Sequence, residues 1–212
     1  SMKYILIALC MLITPSFYAF SADYQEGVHY KIIPGPATTT PELREYFSYY
    51  CPACRSFEAH LPGFKKSIPA NAVFKKTHVD FMRQTSSDIQ FLLGKAQIVA
   101  QRTGIADEFN AAVFSHIQTK RQSVTDIDDV KEIFIKAGGE VSKFDAGMKG
   151  FSIVGQAKRN KKVQDKLSQG RFLNSVPSFV VNGKYIVNAK ALDKDNLIED
   201  YKKLIAFLFT LN

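Results

Sequence analysis

The sequence predicts an α/β domain that is interrupted by an all-helical insertion. Near its start, strand-like runs surround a helix-like stretch that opens on two cysteines separated by two residues. The middle of the chain carries apolar residues at helical spacing. Strand patterns return around Asn182-Gly183, a strong two-residue hairpin signal, and an amphipathic helix follows them. We therefore expect the α/β domain at residues 22–82 and 157–212 and the helical insertion at 83–156.

The first 21 residues have the pattern of a secretory signal peptide. Lys3 supplies the positive charge, residues 4–13 form the apolar run, and Ala19-Phe20-Ser21 resembles a small-residue cleavage site before Ala22. A membrane anchor is the alternative, but the apolar run is shorter than the roughly 20 residues that a span needs, and Pro15 interrupts its end. Cleavage near Ala22 predicts an oxidising compartment outside the cytoplasm.

Three strands and one helix are predicted before residue 82. Residues 53–66 have helical periodicity, with apolar side chains at Phe57, Leu61 and Phe64, and Pro62 should kink this helix. The strand before the helix is mostly aromatic, which indicates burial on both of its faces. The strands are expected at 28–33, 43–50 and 72–81.

Helices dominate the prediction between residues 86 and 170. Ser86 or Ser87 can cap the first of them, which Gly104 ends, and Thr125 with Asp128 resembles a capping box for the third. The expected helices lie at about 86–104, 109–117, 127–137, 144–148 and 153–169, and the last of these is strongly basic. Strands at 178–181 and 184–187 and a helix at 195–208 complete the chain.

Composition and charge limit the possible functions. With 46% hydrophobic residues and no low-complexity segment, the chain is predicted to be globular. The net charge is +8, or +7 once Lys3 is removed with the leader, which fits an acidic partner, an anionic membrane surface or simply a solvated basic surface. The basic residues are not interleaved with an aromatic nucleic-acid motif, so we expect no nucleic-acid partner.

Cys51 and Cys54 are the strongest candidates for chemistry. A strand-to-helix turn places the first cysteine at the helix N-terminus and the second one turn inside, where the two sulfurs can form a disulfide. The unpaired N–H groups and the positive end of the helix lower the pKa of the first thiol. Cys10 lies in the predicted leader, so the mature chain would hold only this pair.

A structural disulfide and half of a metal site are the two other roles open to this pair. A disulfide that closes so small a loop constrains the unfolded chain little. A structural zinc site needs four ligands, and the sequence has no second CxxC pair and no paired histidine spacing. We therefore expect a redox-active pair with no metal and no other cofactor.

Three motifs resemble those of the DsbA family of bacterial periplasmic thiol-disulfide oxidoreductases. They are the run EYFSYYCPAC at 45–54, HVDF at 78–81, and Val176-Pro177 followed by FVVNGKY at 179–185. The resemblance covers nearly all of the mature chain and implies a thioredoxin fold with a helical insertion. It implies a monomeric, periplasmic enzyme that introduces disulfides into newly exported or unfolded proteins with free cysteines. It also implies reoxidation by a quinone-linked inner-membrane partner of the DsbB type.

The resemblance assigns roles to individual residues. Cys51 would be the sulfur that attacks and is attacked, and Cys54 the buried resolving thiol, with Pro52 and Ala53 as the dipeptide between them. Val176-Pro177 resembles the cis-proline loop of the family, which lies beside the disulfide. Because proline has no N–H, the backbone of Val176 can pair with an extended substrate segment. The alternative is a proline that only begins a strand.

Glu45 and Lys76 are charged residues in otherwise apolar strands, and buried charges should be paired. In the family, a Glu and a Lys at these places lie beneath the buried cysteine and help proton transfer, with Glu58 nearby. The alternatives are edge residues that reach water and, for Glu58, a plain solvated helix residue. His60 and His78 are expected to be exposed or hydrogen-bonded rather than catalytic.

Ala53 departs from the family pattern. Many members carry His at this position, which stabilises the thiolate of the first cysteine, and alanine cannot do so. We therefore expect the pKa of Cys51 to be lowered by the helix terminus, but less than in the His-containing pattern. A less stable thiolate predicts a weaker oxidant.

Two other functions are compatible with the residues alone. A disulfide isomerase or reductase would use the same motif. Isomerases of this superfamily generally carry an extra N-terminal dimerisation domain. Only about 20 residues separate the predicted cleavage site from the strand before the cysteines, so we expect no room for such a domain. A thioredoxin-like chaperone or adaptor would keep its activity without Cys51.

Overall fold

The computed structural model of the protein describes residues 24–211, in which a mixed sheet carries helices on both faces. The predicted signal peptide and Cys10 lie outside the described residues. The sheet order is β1-β5-β4-β2-β3, in which β2 and β3 are parallel and the other neighbours antiparallel. The strands of this sheet are β1 Tyr30–Ile32, β2 Glu42–Phe47, β3 Val73–His78, β4 Ser178–Val181 and β5 Tyr185–Val187.

The helices of the described chain fall into two groups, one on the sheet and one in the insertion. Those on the sheet are α1 Pro52–Phe57, α2 Leu61–Ser67 and α8 Leu197–Thr210. The insertion holds α3 Ser87–Thr103, α4 Ala106–Phe114, α5 Ile127–Lys136 and α6 Val141–Lys149, and α7 Phe151–Gln169 leads back to the sheet. Within residues 24–211, no helix has the length and apolar character needed to cross a membrane.

One face of the sheet packs against α1, α2 and α8. Alternation along the strands puts Leu43 of β2 into this layer. There Phe64 stacks on Phe179 with ring centroids 5.3 Å apart, and Phe57 meets Tyr201 edge to face at 5.4 Å. These aromatic contacts hold the active-site helix α1 between the central strands and the last helix.

The long helix α7 joins the sheet to the insertion. Leu167, near its end, packs with Tyr46 and Val180 on the opposite face of the sheet, whereas Ile153 and Ala157 lie in the core of the insertion. That same core takes in both cysteines of the CxxC pair. The predicted α/β domain with an all-helical insertion is confirmed, and the exact limits at residues 82 and 157 stay a prediction.

The helix predicted over 53–66 is broken in the structure. α1 ends at Phe57, a 3-10 turn covers Glu58–His60, and α2 begins at Leu61. Pro62 explains the break, because it has no N–H to donate to the preceding turn. The break turns Glu58 towards the sheet, where it bonds to Lys76.

The cap predicted for the third insertion helix is wrong. Asp126, not Thr125, caps α5, and its carboxylate accepts the N–H groups of Asp128 and Asp129 at 2.9 and 3.1 Å. Thr125 instead donates from its N–H and its hydroxyl to Asp129 Oδ2, both at 2.7 Å. Both residues are good cap formers, so the sequence alone does not choose between them.

Candidate active site

Cys51 caps the N-terminus of α1, at the end of a short loop that leaves β2. The strand ends at Phe47, and residues 48–50 turn away from the sheet instead of continuing the predicted strand. The Cys51 N–H closes this turn by donating to the Ser48 carbonyl at 3.1 Å. Cys51 is extended, with φ −102° and ψ 113°, and Pro52 follows at the first helical turn, where no N–H partner is required.

The two thiols of the pair differ in their pKa values. Both are free, Cys51 is 5% exposed and Cys54 is fully buried. Hydrogen bonds from the Cys54 thiol and from the N–H groups of Cys54 and Ala53 lower the pKa of Cys51 to about 7, although burial opposes this shift. The Cys54 N–H nitrogen lies 3.2 Å from Cys51 Sγ. Burial raises the pKa of Cys54 well above its ordinary value, so at neutral pH only Cys51 ionises.

The Val176–Pro177 loop lies directly beside Cys51. The peptide bond between the two residues is cis, as the resemblance implies. Cys51 Sγ donates to the Val176 carbonyl at 3.4 Å. β4 begins at Ser178 and pairs with β2, so the sheet brings together residues that are 125 positions apart in the chain. Pro52 and Ala53, between the two cysteines, are both exposed.

Glu45, Lys76 and Glu58 form a charge cluster between β2, β3 and the turn after α1. Parallel pairing places Glu45 opposite Lys76 in the sheet, with Lys76 Nζ 3.0 Å from Glu45 Oε2. The same ammonium donates to Glu58 Oε1. The side chains of Glu45 and Lys76 are 0% and 6% exposed, so neither reaches water from a sheet edge, whereas Glu58 is 27% exposed.

Burial and charge act in opposite directions within this cluster. Burial raises the pKa of Glu45 to about 7, although the charge of Lys76 opposes the shift. Burial lowers the pKa of Lys76, but the two carboxylates outweigh it, and the pKa of Lys76 is raised overall. Lys76 is thus the countercharge of Glu45, and its ammonium only partly offsets the burial of that carboxylate. The charge of Glu45 also contributes to the raised pKa of Cys54.

Glu45→Gln is expected to change how stability depends on pH. Because the pKa of Glu45 is raised from 4.5 to about 7, the folded state binds more protons than the unfolded chain between these values. Glu45 therefore contributes stability below pH 4.5 that is lost as pH rises towards 7, by about 3 kcal/mol in all. Relative to the wild type, Glu45→Gln should gain stability across this window in urea unfolding.

Glu42 provides a matched control on the same strand. Burial raises its pKa, but Arg44 and Lys75, each 2.7 Å away, outweigh burial and lower the pKa below 4.5. Its carboxylate therefore stabilises the fold above this pH and loses that effect as pH falls. Glu42→Gln should lose stability relative to the wild type at neutral pH, the opposite of Glu45→Gln. Parallel pH profiles for the two variants would contradict the burial-raised pKa of Glu45.

Two polar residues that the sequence analysis did not place at the site hold the loop before Cys51. His78 is 8% exposed, and its Nε2 accepts the Tyr49 N–H at 3.0 Å. Burial lowers its pKa to about 3, so the ring is neutral. Gln118 donates to the Tyr49 and Cys51 carbonyls at 2.7 and 3.1 Å. No local sequence pattern marks Gln118, which is 67 residues from Cys51. The other histidine considered in the sequence analysis, His60, is exposed.

An ionisable thiol at a helix N-terminus, paired with a buried thiol one turn inside, is suited to exchange between thiols and disulfides. The protein is therefore a thiol-disulfide oxidoreductase with a thioredoxin fold and a helical insertion, which confirms the predicted fold and activity.

The chain belongs to the DsbA family, because residues 42–197 match the DSBA-like thioredoxin domain. It is 33% identical over 204 residues to the thiol:disulfide interchange protein DsbA of Pectobacterium carotovorum subsp. carotovorum, which covers 92% of this chain and 93% of that one. It is 32% identical over 216 residues to DsbA of Escherichia coli strain K12, covering 98% of both chains. The structure of Proteus mirabilis DsbA with a non-covalently bound peptide PWATCDS superposes with a TM-score of 0.77 at 25% identity, covering 89% of this chain and 100% of that one.

Proposed function

We propose that the protein oxidises pairs of cysteines in newly exported proteins, with Cys51 and Cys54 as the disulfide donor. In the oxidised form, a substrate thiolate attacks Cys51 Sγ, the Cys51–Cys54 bond breaks, and Cys54 leaves as a thiolate that takes up a proton. A second substrate thiolate attacks the substrate sulfur of the mixed disulfide and releases Cys51 as a thiolate. The substrate gains one disulfide, and the two electrons lost by its thiols reduce the Cys51–Cys54 pair.

The difference between the two thiols carries this proposal. With a pKa of about 7, Cys51 is a good leaving group in the second step, whereas Cys54 is buried and holds its proton. A stabilised Cys51 thiolate favours the reduced enzyme, and therefore drives oxidation of the substrate. A disulfide that only joined two turns of backbone would not need two thiols with opposite pKa shifts.

Val176 is the proposed docking point for the substrate backbone. Its carbonyl lies within 3.4 Å of Cys51 Sγ, so a peptide that pairs with this residue has its own cysteine near the reactive sulfur. Pro177 offers no N–H, which leaves Val176 as the residue of the loop that can pair with an extended segment. The cysteine-containing peptide bound to the Proteus mirabilis relative supports the same class of ligand for this chain.

The charge cluster is the proposed source of the proton that Cys54 takes up. A thiol with a raised pKa must be protonated when it leaves the disulfide. Glu45, with a pKa of about 7, can give and regain a proton at neutral pH. Lys76 connects it to Glu58, whose side chain is 27% exposed and therefore reaches water.

Location, reoxidation and assembly belong to the same proposal. The leader pattern at 1–21 supports export to the periplasm. Each cycle leaves Cys51 and Cys54 reduced, so an oxidant must restore the disulfide, and a quinone-linked membrane partner of the DsbB type fits this need. The proposal also takes the protein to act as a monomer, with the domain limits given above.

A thiol count on both partners tests the proposed direction of transfer. The oxidised protein is mixed with a reduced, unfolded protein that has two cysteines, and free thiols are measured on each after acid quenching. We expect one disulfide in the substrate for every Cys51–Cys54 pair that becomes reduced. Absence of transfer, or loss of substrate thiols without reduction of the pair, would contradict the proposal.

Ala53→His is expected to make the protein more oxidising. An imidazolium at this exposed position, beside Cys51, adds a positive charge near the thiolate and should lower the pKa of Cys51 by about one unit. The equilibrium constant for oxidation of glutathione should rise by up to about tenfold, because the reduced form is stabilised. Ala59→His, at an exposed position further from the cysteine pair, is the control and should change neither quantity. An unchanged constant in Ala53→His would contradict the role given to this position.

A further inference from the structure

Gln118, a side chain of the helical insertion, hydrogen-bonds the backbone of the active-site loop. Gln118 donates from Nε2 to the Tyr49 carbonyl at 2.7 Å and to the Cys51 carbonyl at 3.1 Å. Both partners are acceptors, so the amide nitrogen, and not the amide oxygen, must face the loop. A single residue thus ties two peptide groups of the active-site loop to the insertion.

A widened helical turn brings Gln118 to this position. The residue lies in the π turn Ser115–Thr119, which follows α4, and the Lys120 N–H donates to the Ser115 carbonyl at 2.9 Å. A π turn holds an extra residue and changes the direction of the side chains that follow it, and such turns are frequent at functional sites. Arg121, with a left-handed φ of 54°, then ends the turn.

Through the Cys51 carbonyl, Gln118 acts on the residue that carries the reacting sulfur. It also accepts the Arg55 N–H at 3.2 Å, the first hydrogen bond of α1. Its orientation therefore sets the N-cap geometry of Cys51, in which the Ala53 and Cys54 N–H groups face the sulfur. The N–H of Tyr49, two residues earlier, is bound by His78 of β3. Among the hydrogen bonds described, Gln118 makes the one between the insertion and the Cys51 backbone.

We propose that Gln118 is a positioning residue for thiol exchange, which holds the Cys51 backbone so that the N–H groups of α1 face the reacting sulfur. The insertion then does more than cover the cysteine pair, because it contributes to the stability of the reduced form. This inference rests on the proposed function, since it concerns the same sulfur and the same equilibrium.

Gln118→Met tests this role, because methionine keeps the length of the side chain and removes both donors. Without these donors the Cys51 carbonyl is less restrained, and the N–H groups at the helix terminus stabilise the Cys51 thiolate less well. We expect the pKa of Cys51, followed by thiolate absorbance, to rise. We expect the equilibrium constant for oxidation of glutathione to fall about fivefold, the size of one lost hydrogen bond. Gln118→Glu, which adds a negative charge at the same place, should move both quantities further in the same direction.

Gln122→Met is the matched control, because Gln122 is exposed just beyond the π turn. It should match the wild type in both readouts. A Gln118→Met protein that loses thermal stability but keeps the wild-type pKa and constant would overturn the proposal, since a purely structural contact behaves in this way. Gln118→Leu, which removes the donors without adding a charge, gives the same decision if Gln118→Met does not fold. A wild type that does not exchange with glutathione would contradict the proposed function, whereas equal constants in wild type and variants would contradict the role of Gln118 alone.

Discussion

Cys51→Ser is expected to abolish oxidation of protein substrates, and Cys54→Ser to trap the intermediate. Cys51 is the sulfur beside Val176, and its lowered pKa makes it the thiol that ionises, so without it no mixed disulfide can form. Cys54→Ser keeps this sulfur but lacks the thiol that would resolve it. Incubated with oxidised glutathione, Cys54→Ser should accumulate one glutathione per chain, detected by intact mass, whereas Cys51→Ser should carry little or none because Cys54 is fully buried.

The two serine variants control for each other, because each removes one sulfur from the same pair. Similar amounts of bound glutathione on both variants would contradict the division of roles between the thiols. Substrate folding activity that survives Cys51→Ser would instead favour a chaperone or adaptor, in which the CxxC pair is incidental. We expect neither result, because the two thiols have opposite pKa shifts.

Lys76→Met is expected to cause the largest loss of stability among the variants considered. Glu45 is fully buried and its carboxylate has Lys76 3.0 Å away as its countercharge. Removing one partner of a buried ion pair costs about 3–5 kcal/mol, a large part of the stability of a typical domain. Lys76 also lies over the Phe47 ring, 4.2 Å from its centroid, and methionine preserves part of this packing. Urea unfolding at pH 8 measures the loss.

Lys75→Met and a double variant make this prediction specific. Lys75 is the neighbouring residue on β3, its side chain is 48% exposed, and its partner Glu42 retains Arg44, so its loss should cost less than about 1 kcal/mol. Glu45→Gln combined with Lys76→Met removes both charges and should recover most of the stability. At pH 5 the single Lys76→Met variant should lose less, because Glu45 is then protonated. Equal effects of Lys75→Met and Lys76→Met would contradict a buried ion pair.

Local patterns in the sequence predicted the order of elements and the position of the cysteine pair. Apolar spacing identified the helices of the insertion, and the turn residues Asn182-Gly183 identified the β4–β5 hairpin. Boundaries were less predictable where tertiary contacts decide them. The aromatic run to Tyr50 has strand propensity throughout, but the turn that the Cys51 N–H closes on Ser48 ends β2 at Phe47.

The polar support of the active-site loop could not be predicted in the same way. Gln118 is a plain glutamine in a helical pattern, and only the π turn and the packing of the insertion bring it to Cys51. The family resemblance implied that Glu45 and Lys76 lie beneath the buried cysteine, and the parallel register of β2 and β3 explains why these two side chains meet. A side chain that hydrogen-bonds a backbone carbonyl far away in the chain produces no periodic pattern by which the sequence could identify it.

The equilibrium between Cys51–Cys54 and a glutathione redox buffer tests the central claim most directly. A disulfide that is more readily reduced than glutathione disulfide is the predicted result, because the Cys51 thiolate is stabilised and Cys54 is buried and protonated. The constant should be smaller than that of the Ala53→His variant. A disulfide that resists reduction until glutathione is in large excess would contradict the oxidase and would favour a reductase or a structural bridge.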